Sequence, residues 1–456
     1  MIWQKRNGTI LLRFFVVRVA YFVVRNLSKR RNSMNKKQCS LMSLLVVVLA
    51  GIYLFYSGPL FAQFRAAIAV RNVTPDPLLP VSGGVGPSEP VNRKIGELTV
   101  RALVFENGDT RIAICSADFL GFPSVLCNKV RRQVPSIPPE NILIAATHNH
   151  SAPDCYGFPD KDGKTGADIT YLNNVCDKLA DAIKQAVSQL QPAHIKIATG
   201  AAKGKIAYNY YAEKLFDPRC HVIQALDIEG KPLATLVSYA CHPEVIGPDQ
   251  GILCPDFVGP LYEQLQKRDG GIGIFINSAA GGMVTADCRG PDGRDIRTWD
   301  ECLRIGHLLG DEALRIIADA PLQKDPKLFC KSTIVEFPVE SEILLAVIKL
   351  SPLSYQLNEK GKVSAQVNVV NIGDAQILTI PGEALPNIGC YLKRKMHGRN
   401  NMLFGLTNDA FGYILTKVDW NSFDRYNYIS RTCLGEMTGE IFIDHALKLI
   451  DASPRP

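Results

Sequence analysis

The sequence predicts a mixed α/β protein, a single large domain of mixed sheets flanked by helices. Three observations carry that reading. Strand-like apolar runs alternate with amphipathic helical stretches through most of the chain. Apolar residues make up 46% and charged residues 21%, the composition of a folded protein with a sizeable core. No repeat, low-complexity tract or clean linker divides the body, and 456 residues allow one large domain or two ordinary ones.

The N-terminus is set apart by its charge. Residues 1–63 hold ten Lys and Arg and no acid; taking those ten from the 51 in the chain leaves 41 against 44 Asp and Glu. The overall +7 therefore hides a near-neutral body, and nothing calls for nucleic acid. From Met34, Lys36 and Lys37 precede an apolar run over 41–56, then Ser-Gly-Pro and "LFAQ". That is the layout of a secretory signal with Ala62 as cleavage point; Met34 as the start would leave residues 1–33 untranslated. The basic, apolar "ILLRFFVVRVAYFVV" also fits an uncleaved anchor, so residues 1–63 are expected to be a signal peptide or N-terminal membrane anchor. Export is compatible with some disulfides among the twelve cysteines that follow, and the absence of a CxxC pair argues against a zinc ribbon or a thioredoxin-type motif.

Residues 64–456 form the expected domain. "AAIAVRN" opens it as a strand, and "LTVRALVFENGDTRIAICSADFLG" reads as a hairpin around Asn107-Gly108-Asp109. A strand over 142–147 follows. From Asp168 to Leu190, apolar residues at 169, 172, 175, 179, 183, 187 and 190 mark a helix. "HIKIATGAAKG" and "CHVIQALDIEGKPLATLVSYACHPE" supply three strands, "DFVGPLYEQLQKR" a helix, "GIGIFINSAAGG" a strand, and 299–320 another helix. The remainder reads as β-rich.

The chemistry-bearing residues collect at strand ends. His148 and His150, in "NILIAATHNHSAP", are two apart; on a strand they project from one face. Paired imidazoles make poor core and suit a metal, or a metal ligand beside an acid/base group, although two surface histidines would share the spacing. His242 ends "ATLVSYACHPE", Glu383 follows the strand-like "AQILTIPG", and Tyr413 follows "GLTNDAFG". Each has a plainer reading: a lone surface histidine, a helix N-terminal acid, a core aromatic. No G-x-S-x-G elbow, H-E-x-x-H helix or phosphate loop is present, which moves serine hydrolases, zincins and nucleotide enzymes down the list.

"ATHNHSAP", "YACHPE", "PGEA" and "GLTNDAFGYI…DRY", in that order, resemble the catalytic domain of the neutral/alkaline non-lysosomal ceramidases, over most of residues 66–445. The resemblance implies a secreted or membrane-associated amidohydrolase cleaving ceramide-like N-acylsphingosines. It also implies one zinc per chain, held by His148, His242, Glu383 and Tyr413, with His150 and Tyr426 facing the substrate. Four departures bear on the substrate. Ala152-Pro153-Asp154-Cys155 replaces a Gly-Pro-Gly-type turn. The stretch over 282–285 lacks the family serine, with Thr285 adjacent, and Tyr210 stands where an arginine is expected. The family's C-terminal immunoglobulin-like domain is not expected here. The expected partner is a lipid or other small amide, with association at a membrane surface. The rival readings are a zinc hydrolase of another amide or ester, and an exported binding protein with a degenerate pocket.

Overall fold

The computed structural model describes residues 64–456, and Gln63–Pro456 form one compact unit. The expected signal or anchor over residues 1–63 lies outside the described residues. Among the described residues, no helix is long and apolar enough to cross a membrane.

In chain order the first half runs β1 (Arg65–Asn72), β2 (Thr99–Asn107), β3 (Thr110–Ala117), α1 (Ser124–Arg132), β4 (Ile142–Ala146), α2 (Ile169–Ser188), β5 (Gln191–Ala201), β6 (Arg219–Asp227) and β7 (Pro232–Tyr239). It continues with α3 (Val258–Lys267), β8 (Ile272–Asn277) and α4 (Trp299–Ile317). The eight strands make one sheet in the order β8-β7-β6-β5-β1-β2-β3-β4, with Leu322–Gln323 adding to β5. Neighbours are antiparallel except the outermost pairs, β3 with β4 and β7 with β8. Parallel neighbours need a crossover, and α1 and α3 supply one at each end. The predicted hairpin joins β2 and β3, its Gly108 at φ 60° as a two-residue hairpin loop requires.

Helix α2 confirms its sequence stripe. Asp168 caps it by accepting from the Tyr171 N–H, and Leu172, Val175, Leu179 and Ile183 are buried against β1 and β2. Truncating one of these, Leu179→Ala, removes about 2–5 kcal/mol of packing. Helices α1 and α2 share one core with β1–β4, and α3 and α4 share another with the β5–β8 half.

The other face of the sheet meets a second sheet, β9 (Leu328–Pro338), β10 (Lys362–Ile372), β11 (Ala375–Thr379) and β12 (Asn400–Phe404), paired in that order. Val370, Ile377 and Phe404 pack here on Leu103, Ile195 and Ile274. Helices α5 (Glu342–Leu350), α6 (Pro386–Lys395), α7 (Asn427–Arg431) and α8 (Thr438–Asp451) interleave. The reading of this third as β-rich thus captured its strands and missed its helices. "EILLAVIKL" (α5) is almost wholly apolar, so periodicity alone leaves helix and strand unseparated.

The turn after β12 ties the edges of the main sheet together. Leu406 and Asn408 hydrogen-bond β4, and the Gly405 N–H donates to Asn277 at the end of β8. A buried polar cluster lies outside the linings of the two cavities described below. Lys393 Nζ donates to Asp217 Oδ2 and to His221 Nε2, both at 2.8 Å, and His221 Nδ1 meets Thr199 Oγ1 at 2.9 Å. Arg219 closes a bidentate pair on Asp217. The twelve described cysteines are all unpaired, so none forms the disulfides that export would permit.

Candidate active site

His148 follows β4, but the pleat does not align it with His150. The strand ends at Ala146, and His148 takes a left-handed backbone at φ 72°. The expectation of a strand reaching residue 147, with both rings on one pleated face, is therefore corrected. The backbone N–H groups of His148 and Asn149 both donate to Phe119 O at 3.0 Å, which ends strand pairing and folds the chain into a turn. The turn still brings the rings together, with centroids 4.9 Å apart. A positive φ at a non-glycine residue costs on the order of 1–3 kcal/mol and persists where its surroundings enforce it.

His242 joins them from the segment after β7, 4.5 Å from His148 and 5.6 Å from His150 between ring centroids. All three are buried, with candidate ligand nitrogens within 4.8 Å of one another. Asn277 aligns their backbones. Its Nδ2 donates to Thr147 O (3.2 Å) and Cys241 O (2.8 Å), the carbonyls preceding His148 and His242, and its Oδ1 accepts from Cys241 N–H.

The tautomers follow from the hydrogen bonds. His148 Nδ1 donates to Leu120 O at 2.6 Å and His242 Nδ1 to Val284 O at 2.8 Å. Both Nε2 atoms then point at a single carboxylate oxygen, Glu383 Oε2, at 3.2 and 3.1 Å. Two imidazole lone pairs facing an anion repel unless a cation sits among them. A backbone carbonyl fixing Nδ1 is also the usual support of a metal-ligating histidine. His148 Nε2 and His150 Nε2 are buried without a hydrogen-bond partner, so the donor set fits a metal ion.

With no ion in place, a proton answers the same repulsion, and His242 carries it on Nε2 toward Glu383. Burial alone would push the Glu383 carboxyl up, but His148 and then His242 outweigh it and hold it well below the carboxylate range. Burial opposes a charge on His242, yet Glu383 beside it raises its pKa to about 9. Burial lowers His150 to about 3 against the pull of Glu244.

Glu383 sits on a two-residue strand in register with Tyr413, so the two side chains leave the same face. Gly412, at φ 105°, permits this approach, since a Cβ there would lie 2.1 Å from Thr432 O. Tyr413 lines the same cavity as His148, His150 and Glu383, and its hydroxyl donates to Met283 Sδ at 2.9 Å. Tyr426 is not brought to that cavity; it packs on Tyr211 and Phe423, each 5.4 Å away between centroids. Two residues of helical turn rotate a side chain by about 200°, and Tyr428 lines the cavity instead. Glu244 was also missed. Its Oε2 lies 3.5 Å from His150 Nδ1, and the His242-x-Glu244 spacing could have exposed it by the argument applied to the histidine pair.

No family model matches the chain, and no curated protein matches it in sequence. Solved structures do: the chain has a neutral-ceramidase-like fold. The crystal structure of neutral ceramidase from Pseudomonas aeruginosa aligns with a TM-score of 0.67 at 16% identity, over 86% of this chain and 75% of that one. A ceramidase complexed with C2 aligns with a TM-score of 0.66, also at 16% identity, over 87% and 76% of the two chains.

Proposed function

We propose that the chain is a zinc-dependent amidohydrolase that cleaves the amide of an N-acyl lipid of the N-acylsphingosine type. The observation that carries this is the convergence of two carbonyl-fixed imidazoles on Glu383 Oε2, beside an unpartnered His150 Nε2. The fold it shares with neutral ceramidases supports the same reading. His148, His242 and Glu383 would hold the ion, with Tyr413 reaching it once its hydroxyl leaves Met283. Zinc, when bound, lowers the pKa of water to about 7 and polarises a carbonyl.

The chain's own groups supply the rest. His150 turns Nδ1 toward Glu244, which orients the ring as a carboxylate orients a catalytic histidine, and leaves Nε2, unprotonated at rest, open to take a proton from the attacking water and pass it to the leaving nitrogen. The cavity beside it, about 690 Å³, receives the acyl chain. Its wall is largely apolar, with Leu120, Phe158, Leu344, Val347, Leu353 and Phe411 among the lining residues. Export, and work at a membrane surface through the N-terminal segment, belong to the same proposal.

Metal analysis of the purified chain tests it, followed by a panel of N-acyl substrates. About one zinc per chain with amide cleavage supports the proposal. Zinc with cleavage of esters alone favours another zinc hydrolase. A chain that takes up no metal is a binding protein, and the proposal is then wrong.

A further inference from the structure

The proton carrier stands among three loops. Segment 149–151 bears His150, segment 243–247 bears Glu244, and segment 254–257 leads into α3. His150 and Glu244 border both the 690 Å³ cavity and a second of about 340 Å³. Hydrogen bonds join the loops. The His150 N–H donates to Pro243 O at 3.1 Å, Ser151 Oγ to Gly247 O at 3.0 Å, and Asn149 Nδ2 to Cys254 O at 2.8 Å. One further tie is made by an ionisable group. Asp256, 0% exposed, accepts from the Ile246 N–H on Oδ2 at 2.9 Å and from the Phe257 N–H on Oδ1 at 2.8 Å.

Three features set Asp256 apart from a helix cap or half of an ion pair. It stands just before α3, yet no side chain caps that helix, since its oxygens are engaged by Ile246 and by its own neighbour. Among the described residues no Lys, Arg or His hydrogen-bonds to it. The ionisable groups around it are Glu244 and the thiols of Cys241, Cys254, Cys288 and Cys302. Its backbone is left-handed, φ 48°, which a non-glycine residue keeps only where its surroundings enforce it. A buried carboxylate without a cation is a costly support, and what it supports is the segment carrying Glu244. We infer that Asp256 is a positioning residue for the proton transfer: by anchoring the backbone at Ile246 it fixes Glu244 against His150. This deepens the proposed function and rests on it. The contact so held has little tolerance. Glu244 Oε2 lies 3.5 Å from His150 Nδ1, the outer limit of a hydrogen bond, so a small outward drift would leave the ring unoriented. Burial raises the Asp256 carboxyl to about 6. Above that pH both oxygens accept; below it one carries a proton and its grip on the backbone weakens.

The test uses the zinc-loaded chain and N-palmitoylsphingosine. In Asp256→Asn one of the two N–H groups faces an amide NH2 instead of an oxygen. The expected result is a fall in kcat of about 10- to 100-fold, the range for groups that orient a working side chain, with KM and zinc content near wild type. Because the effect passes through Glu244, adding Asp256→Asn to Glu244→Gln should cost less than about twofold more. The ratio of wild-type kcat to that of Asp256→Asn should also narrow from about pH 7.5 to about pH 5, as the wild type loses its own anionic anchor. Should Asp256→Asn not fold, Asp256→Ser, which keeps a single acceptor oxygen, reads the same quantities. A kcat within about twofold of wild type, the full loss repeated in the Glu244→Gln background, a constant ratio across that pH range, or loss of zinc overturns the inference and leaves the amidohydrolase standing. So does failure of both variants to fold, which would make Asp256 a structural residue. No cleavage by the zinc-loaded wild type overturns both.

Discussion

Two buried clusters in this molecule combine histidine with acid, and they differ in one respect. In the first, His221 is held at both nitrogens, by Lys393 and Thr199, while Asp217 answers Lys393 and Arg219. In the second, His148 and His150 each keep a buried nitrogen with no partner, and the Nε2 atoms of His148 and His242 face one carboxylate oxygen. The first cluster is complete as it stands. The second is complete only with something added. Unmet bonding capacity, more than residue type or burial, is what separates the candidate site from the polar strut.

Exchanging damage between the clusters would sharpen that contrast. His242→Ala should reduce both zinc content and turnover to background, whereas His221→Asn should leave zinc content near wild type; metal analysis beside an amidase assay reads both. Asp217→Asn strands a buried Lys393 and should cost about 3–5 kcal/mol in denaturant unfolding. Retention of zinc by the folded fraction of that variant would show that the strut and the site are independent, and loss of zinc would break the comparison. His150→Ala should keep the metal and lose about 100- to 1,000-fold in rate. If it empties the site as fully as His242→Ala, His150 is a ligand rather than a proton carrier. Asn277→Leu removes the clamp on both ligand segments, and zinc affinity should fall about 10- to 100-fold, the range for groups that orient ligands.

The smallest effect is in pH. Burial, reinforced by Lys393, keeps the pKa of His221 well below its ordinary value of about 6.5. Below that pH the unfolded chain binds a proton that the folded chain refuses. The contribution is therefore whole above about pH 6.5 and shrinks as pH falls, by up to about 1.4 kcal/mol per unit. His221→Asn has no such slope. The stability difference between wild type and variant should narrow from pH 7.5 to 5; a constant difference would show that His221 takes up its proton in the folded state as readily as in the unfolded chain.

What the sequence disclosed depended on how far apart the cooperating residues lie. The histidine pair was legible because its spacing is local, although the geometry behind it proved to be a turn with a left-handed residue rather than a pleat. Glu383 was legible from its place after an apolar strand. Asn277 was not, because its role is to bind carbonyls 130 and 36 residues away, and no local pattern records that. Helix α5 escaped because an almost unbroken apolar run has no period to read. Tyr426 and Tyr428 differ only in which side of one helical turn they occupy, and a sequence match tolerant of one insertion does not resolve that.

The cysteines have a consequence of their own. Ten of the twelve are buried, and burial pushes Cys127, Cys220 and Cys254 up to about 12. Thiols so protonated and enclosed scarcely react, since the thiolate is the nucleophile. Each becomes available only when its own surroundings open. Cys115 and Cys127 report on the core beneath α1 and α2, and Cys302 on the core beneath α4. The fold thus carries native timers in separate cores, and alkylation followed by mass analysis would rank the order in which those cores come apart.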